Sequence, residues 1–121
     1  MRAIVVDDSK AMRAILKRLL TECGYSEILE AGSGREGLDA IAAVEPIELV
    51  LVDGNLPEMS TIEFATAVRA NAQCGVNLLV ITNETDQTQS ALAAGADECV
   101  MKPFTKEVLL EKLDIIKSGR A

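Results

Sequence analysis

Five short apolar runs, separated by stretches of helical periodicity, restrict this chain more than any other feature. The runs are Ala3–Val6, Glu27–Ala31, Leu49–Val52, Leu78–Ile81 and Cys99–Met101. Three of them are continuous Val/Ile/Leu stretches, the pattern of strands covered on both faces. Between them, Met12, Ile15, Leu16, Leu19 and Leu20 recur as one face of a helix. Leu38, Ile41 and Ala42 repeat the pattern, as do Phe64, Ala65 and Val68, then Ala91–Ala94, then Leu109, Leu113 and Ile116. Ser33 with Glu36, and Ser60 with Glu63, read as capping boxes at helix starts. Asp86 and Thr105 are further caps, and Gly24 and Gly95 stand where helices should end. Strand then helix, five times over, predicts an α/β fold: a doubly wound, five-stranded parallel sheet with helices on both faces.

The 121 residues fit one domain, 1–121, with no effector domain expected. No apolar run approaches the roughly 20 residues that span a bilayer, and the start lacks a secretory leader's pattern, so a cytoplasmic protein is expected. Cys23, Cys74 and Cys99 are widely spaced and odd in number, which fits reduced, mostly packed thiols rather than a disulfide framework or a zinc site. A formal charge of −7 argues against nucleic-acid binding.

In an open parallel sheet, ligands bind beyond the carboxyl ends of the strands. The first run ends in Asp7 and Asp8, the third in Asp53, the fourth in Thr82 and the fifth in Lys102. Taken singly, such residues are often helix caps or solvated charges. Four strand ends carrying complementary groups are a site. Carboxylates without histidine form a hard oxygen site suited to Mg²⁺ or Mn²⁺. A dication, a lysine and a hydroxyl donor together can hold a phosphoryl group. A carboxylate can also be the nucleophile that accepts it. Asp53 stands alone and suits that role, whereas the adjacent Asp7 and Asp8 suit the metal.

At these residues the chain resembles a receiver domain of the CheY-like response regulators. The resemblance rests on VVDDS at Val5–Ser9, LVDGNLPEM at Leu51–Met59, VIT at Val80–Thr82, KPF at Lys102–Phe104, and Gly95-Ala96. It implies a flavodoxin-like strand order of 2-1-3-4-5. It implies that Asp53 is the phosphoacceptor, served by a histidine kinase or phosphotransfer protein. Asp7 and Asp8 would organise Mg²⁺ together with Asp53 and the backbone carbonyl of Asn55. Thr82 would bond the phosphoryl group, and Lys102 would pair with it. Asn55, Glu84 and Asn83 would tune its hydrolysis. The Lys102–Pro103 bond would be cis.

Three departures qualify the resemblance. Cys99 stands where the family usually has an aromatic switch, and the chain's few aromatics (Tyr25, Phe64, Phe104) offer no substitute nearby. Output is therefore expected through Thr82, the loop after it, or the fourth helix, on a surface that includes Cys99 and Met101. Asn83 replaces a small residue, and Thr61 replaces a glycine before the third helix. The expected function is a phosphorylation switch acting on a protein partner, with chemotaxis or motility among its settings. It would be a monomer, or a dimer through the fourth helix, fifth strand and fifth helix. It is not expected to be a turnover enzyme. The competing readings are a phosphate sink or phosphorylation-independent interaction module, and an aspartyl-phosphate hydrolase.

Overall fold

Each apolar run is a strand in the computed structural model, which describes residues 2–43, 47–54, 56, 58–71, 76–82, 85–102 and 104–119, with residues 71, 85–89 and 117–119 described by backbone alone. The strands are β1 (Arg2–Val6), β2 (Glu27–Ala31), β3 (Leu49–Asp53), β4 (Asn77–Thr82) and β5 (Glu98–Met101). The helices are α1 (Lys10–Glu22), α2 (Gly34–Ala43), α3 (Thr61–Asn71), α4 (Thr85–Ala94) and α5 (Lys106–Gly119). The sheet is parallel throughout, in the order β2-β1-β3-β4-β5.

The alternation of side chains along a strand divides the core into two layers. Ile4, Val6, Val50, Val52, Leu78 and Val80 pack with Ile41 of α2, Phe64 and Val68 of α3, and Ala91 of α4. Ala3, Val5, Leu49, Leu51, Leu79 and Ile81 pack with Leu16 and Leu20 of α1 and Leu109, Leu113 and Ile116 of α5. Central β1 and β3 are therefore buried on both faces, and edge strand β2 is not.

The helix faces are narrower than the sequence suggests. Ile15 and Ala42, placed on core faces by periodicity, are exposed. Contact with a sheet covers only one stripe of a helix, and Leu16 and Leu20 fill it for α1. Cys99 runs the other way. Expected on an output surface, it is buried against the α4 side of the sheet, in the same layer as Ala91 and Ala96. Met101, two residues on, is exposed as expected.

The caps follow the sequence closely. At α3, the Glu63 N–H donates to Ser60 Oγ and the Ser60 N–H donates to the Glu63 carboxylate, each at 3.1 Å. At α2, Ser33 accepts from the Glu36 N–H, but the Glu36 carboxylate reaches back to the Gly32 N–H instead. Thr105 caps α5 by accepting from the Val108 N–H. Helix α4 begins one residue before Asp86, whose side chain lies outside the described residues. Gly24 and Gly95 close α1 and α4 with φ of 101° and 123°, a region that side chains with a Cβ avoid.

Candidate functional site

The parallel register brings the strand ends to one level. Val6 lies beside Val52, so Asp7 follows β1 where Asp53 closes β3. Asp53 lies beside Ile81, and Thr82 beside Met101, which places Lys102 next in line. Two backbone bonds continue the ladder beyond the strands: Gly54 N–H to the Ile81 carbonyl at 2.7 Å, and Lys102 N–H to the Thr82 carbonyl at 2.8 Å.

Asp7 and Asp53 are buried and Asp8 is exposed, yet all three offer a carboxylate oxygen within 4.8 Å of the others. Lys102 Nζ donates to Asp53 Oδ1 at 3.3 Å. Thr82 is fully buried at the end of β4. Burial, with the Asp53 charge contributing, pushes the Asp7 carboxyl up, against the opposing effects of the Ser9 N–H and Lys102. Three carboxylates faced by a single lysine suit a hard divalent cation, and the donor set fits one.

Asp7 is held at every polar atom type it has. Its N–H donates to the Ala31 carbonyl at 3.0 Å, its Oδ1 accepts from the Ser9 N–H at 2.8 Å, and its carbonyl accepts from Arg13 Nη1 at 2.6 Å. Ser9 in turn caps α1 by accepting from the Met12 N–H. Ser9 rather than the adjacent Asp8 thus caps α1, leaving the Asp8 carboxylate to the acidic cluster.

Sequence reasoning missed two supports of this site. Arg13 fixes the Asp7 backbone and pairs with Glu30 across to β2. Its signal was a cation in the first turns of a helix, where the macrodipole disfavours one. Glu58, in the loop after β3, accepts from the Gly34 and Arg35 N–H groups at the start of α2. Its partners lie more than twenty positions upstream, beyond any local pattern. Thr61, noted only as a replacement for glycine, is buried, and its hydroxyl donates to the Gly54 carbonyl at 2.9 Å. Asn55, Asn83, Glu84, Pro103 and Cys74 lie outside the described residues.

Comparison with known proteins agrees with this geometry. The family model for the response regulator receiver domain matches residues 3–114. The chain is 37% identical over 123 residues to a chemotaxis protein CheY homolog of Campylobacter jejuni, covering 98% of this chain and 95% of that protein. It is 37% identical over 119 residues to chemotaxis protein CheY1 of Helicobacter pylori, covering 96% of each. The solved structure of chemotaxis protein CheY4 from Vibrio cholerae superposes with a TM-score of 0.83 at 32% identity, covering 95% of this chain and 97% of that one. The chain belongs to the response regulator receiver domains and is CheY-like in sequence and fold.

Proposed function

We propose that Asp53 accepts a phosphoryl group from a histidine kinase or phosphotransfer protein, and that the modified domain switches a protein partner, in chemotaxis as the names of its relatives indicate. The observation that carries this reading is the convergence of Asp7, Asp8, Asp53 and Lys102, with Lys102 Nζ 3.3 Å from the Asp53 carboxylate.

In the transfer, an Asp53 oxygen attacks phosphorus, the bond from phosphorus to the donor histidine nitrogen breaks, and that nitrogen keeps the electron pair. Lys102 holds positive charge beside the oxygens where negative charge collects. The Thr82 hydroxyl donates to the phosphoryl group from the neighbouring strand end. Asp7, Asp8 and Asp53, with the Asn55 carbonyl as a further ligand, would hold Mg²⁺ or Mn²⁺, and the ion would supply the charge neutralisation that three carboxylates need before another anion can approach. Asn55, Asn83 and Glu84 tune hydrolysis of the acyl phosphate.

Output runs through Thr82 and α4 to the α4–β5–α5 surface, on which Leu92, Met101 and Val108 expose apolar side chains. Cys99 acts from beneath that surface, packed against the α4 side of the sheet. Such a switch biases two preexisting arrangements of the surface.

Incubation with acetyl phosphate and Mg²⁺, followed by intact-mass measurement, tests the reading. A single phosphoryl adduct is expected, absent in Asp53→Asn and absent in excess EDTA. An unmodified parent protein, or an Asp53→Asn variant that gains the same adduct, overturns it.

A further inference from the structure

The loop that follows Asp53 is tied down by more than its chain ends. It leaves β3 at Asp53 and enters α3 at Thr61. Gly54, the first residue after the phosphoacceptor, has no side chain, so only its peptide groups can hold it. Its N–H donates to the Ile81 carbonyl of β4 at 2.7 Å. Its carbonyl accepts from the Thr61 hydroxyl at 2.9 Å, a bond between buried groups.

That hydroxyl has no duty in starting the helix. Ser60 and Glu63 already form a complete capping box at α3. The Thr61 hydroxyl is thus spare for the helix, and it is directed across the loop. The peptide bond is planar, so a donor on the Gly54 carbonyl restricts rotation of the backbone that leaves Asp53. The same loop is anchored on its far side by Glu58 at the start of α2. A glycine at position 61, as the family usually carries, would leave the Gly54 carbonyl without this donor.

We infer that Thr61 is a positioning residue: its hydroxyl sets the orientation of the Gly54 carbonyl, next to Asp53, and so tunes divalent-cation binding at the Asp7, Asp8 and Asp53 cluster. The inference rests on the reading of Asp53 as a Mg²⁺-dependent phosphoacceptor. Thr61 touches neither cation nor phosphoryl group; it acts through the backbone next to Asp53.

Two substitutions separate the hydroxyl from the methyl group. Thr61→Val keeps the shape and removes the donor, whereas Thr61→Ser keeps the donor and removes the methyl. Mg²⁺ affinity is read by calorimetry, the thermal midpoint by circular dichroism, and the rate of Asp53 modification by acetyl phosphate as a function of Mg²⁺. Thr61→Val is expected to weaken Mg²⁺ binding about three- to tenfold, the worth of one intramolecular hydrogen bond. Its modification rate should fall at low Mg²⁺ and recover at saturation. Thr61→Ser should bind Mg²⁺ within about twofold of the parent.

A Thr61→Val variant with parental Mg²⁺ affinity and only a lower midpoint would show a purely structural role and overturn the inference. So would a serine variant as weak as the valine variant. Should Thr61→Val not fold, Thr61→Gly serves in its place and must show the same loss. If the parent is modified normally but the variants match it, this inference alone falls. A parent that takes no adduct at Asp53 overturns the phosphoacceptor reading and this inference with it.

Discussion

Asp7 shows how a residue can be unfavourable for the bare fold and suited to its site. Burial and the neighbouring Asp53 raise its pKa above the usual value of 3.8. The folded state therefore binds this proton more tightly than the unfolded chain. The group's contribution to stability falls as pH rises from the unfolded value through the folded one, and its full cost is present at neutral pH. Asp7→Asn removes the charge, and the amide oxygen can still accept from the Ser9 N–H. In EDTA at pH 7 the variant should melt a few degrees higher than the parent. The difference should shrink as pH falls through the raised folded-state value, where the parent carboxyl takes up its proton. Mg²⁺ should shrink it from the other side by stabilising the parent alone. Thermal melts at several pH values check this, and an unchanged difference from pH 7 to pH 4 would contradict the assignment.

At the scale of elements, the site depends on close approach of helices to the sheet. Gly37 lies inside α2 directly over β1. A Cβ there would meet Val6 Cγ2 at 2.8 Å and Phe64 Cε1 at 3.3 Å, both in fully buried side chains that cannot retreat into solvent. Overpacking of this kind costs about 1–3 kcal/mol. The gain in helix propensity from alanine is only about 0.5–1 kcal/mol. Gly37→Ala should therefore be destabilised by roughly 1–2 kcal/mol in urea denaturation. Because the displaced Val6 immediately precedes Asp7, Mg²⁺ affinity should weaken as well. Farther from the site, Arg69 of α3 donates to the Gly95 and Val76 carbonyls and pairs with Asp97. This anchors the C-terminal end of α4 to α3.

For the molecule as a whole, the proposed cation binding would be linked to folding, because only the folded chain brings Asp7 and Asp8 to Asp53. A ligand present at 100 times its dissociation constant stabilises the fold by about 2.7 kcal/mol. Saturating Mg²⁺ should raise the melting temperature of the parent by several degrees, and Asp8→Asn should lose most of that rise. A midpoint that ignores Mg²⁺ up to tens of millimolar, or an equal rise in Asp8→Asn, would count against the cluster as the binding site. Among the described residues no helix is long and apolar enough to cross a membrane.

The strands and their polar ends were legible in the sequence because both depend on local rules. Continuous apolar runs mark strands covered on two faces, and parallel strands send their carboxyl ends to one edge, so Asp7, Asp8, Asp53, Thr82 and Lys102 could be grouped without coordinates. The caps at Ser33, Ser60 and Thr105 were equally local. Burial was less legible. Periodicity marks an apolar stripe but not its width, which is why Ile15 lies in solvent. The partners of Arg13 on β2, of Glu58 on α2 and of the Thr61 hydroxyl across the loop were beyond reach, since each is found only after the chain has folded back on itself. The sequence by itself determined which chemical groups stand at the strand ends, because alternation and periodicity are short-range. Only the tertiary structure decided how those groups are held, because the loop contacts that hold them form between segments that folding brings together.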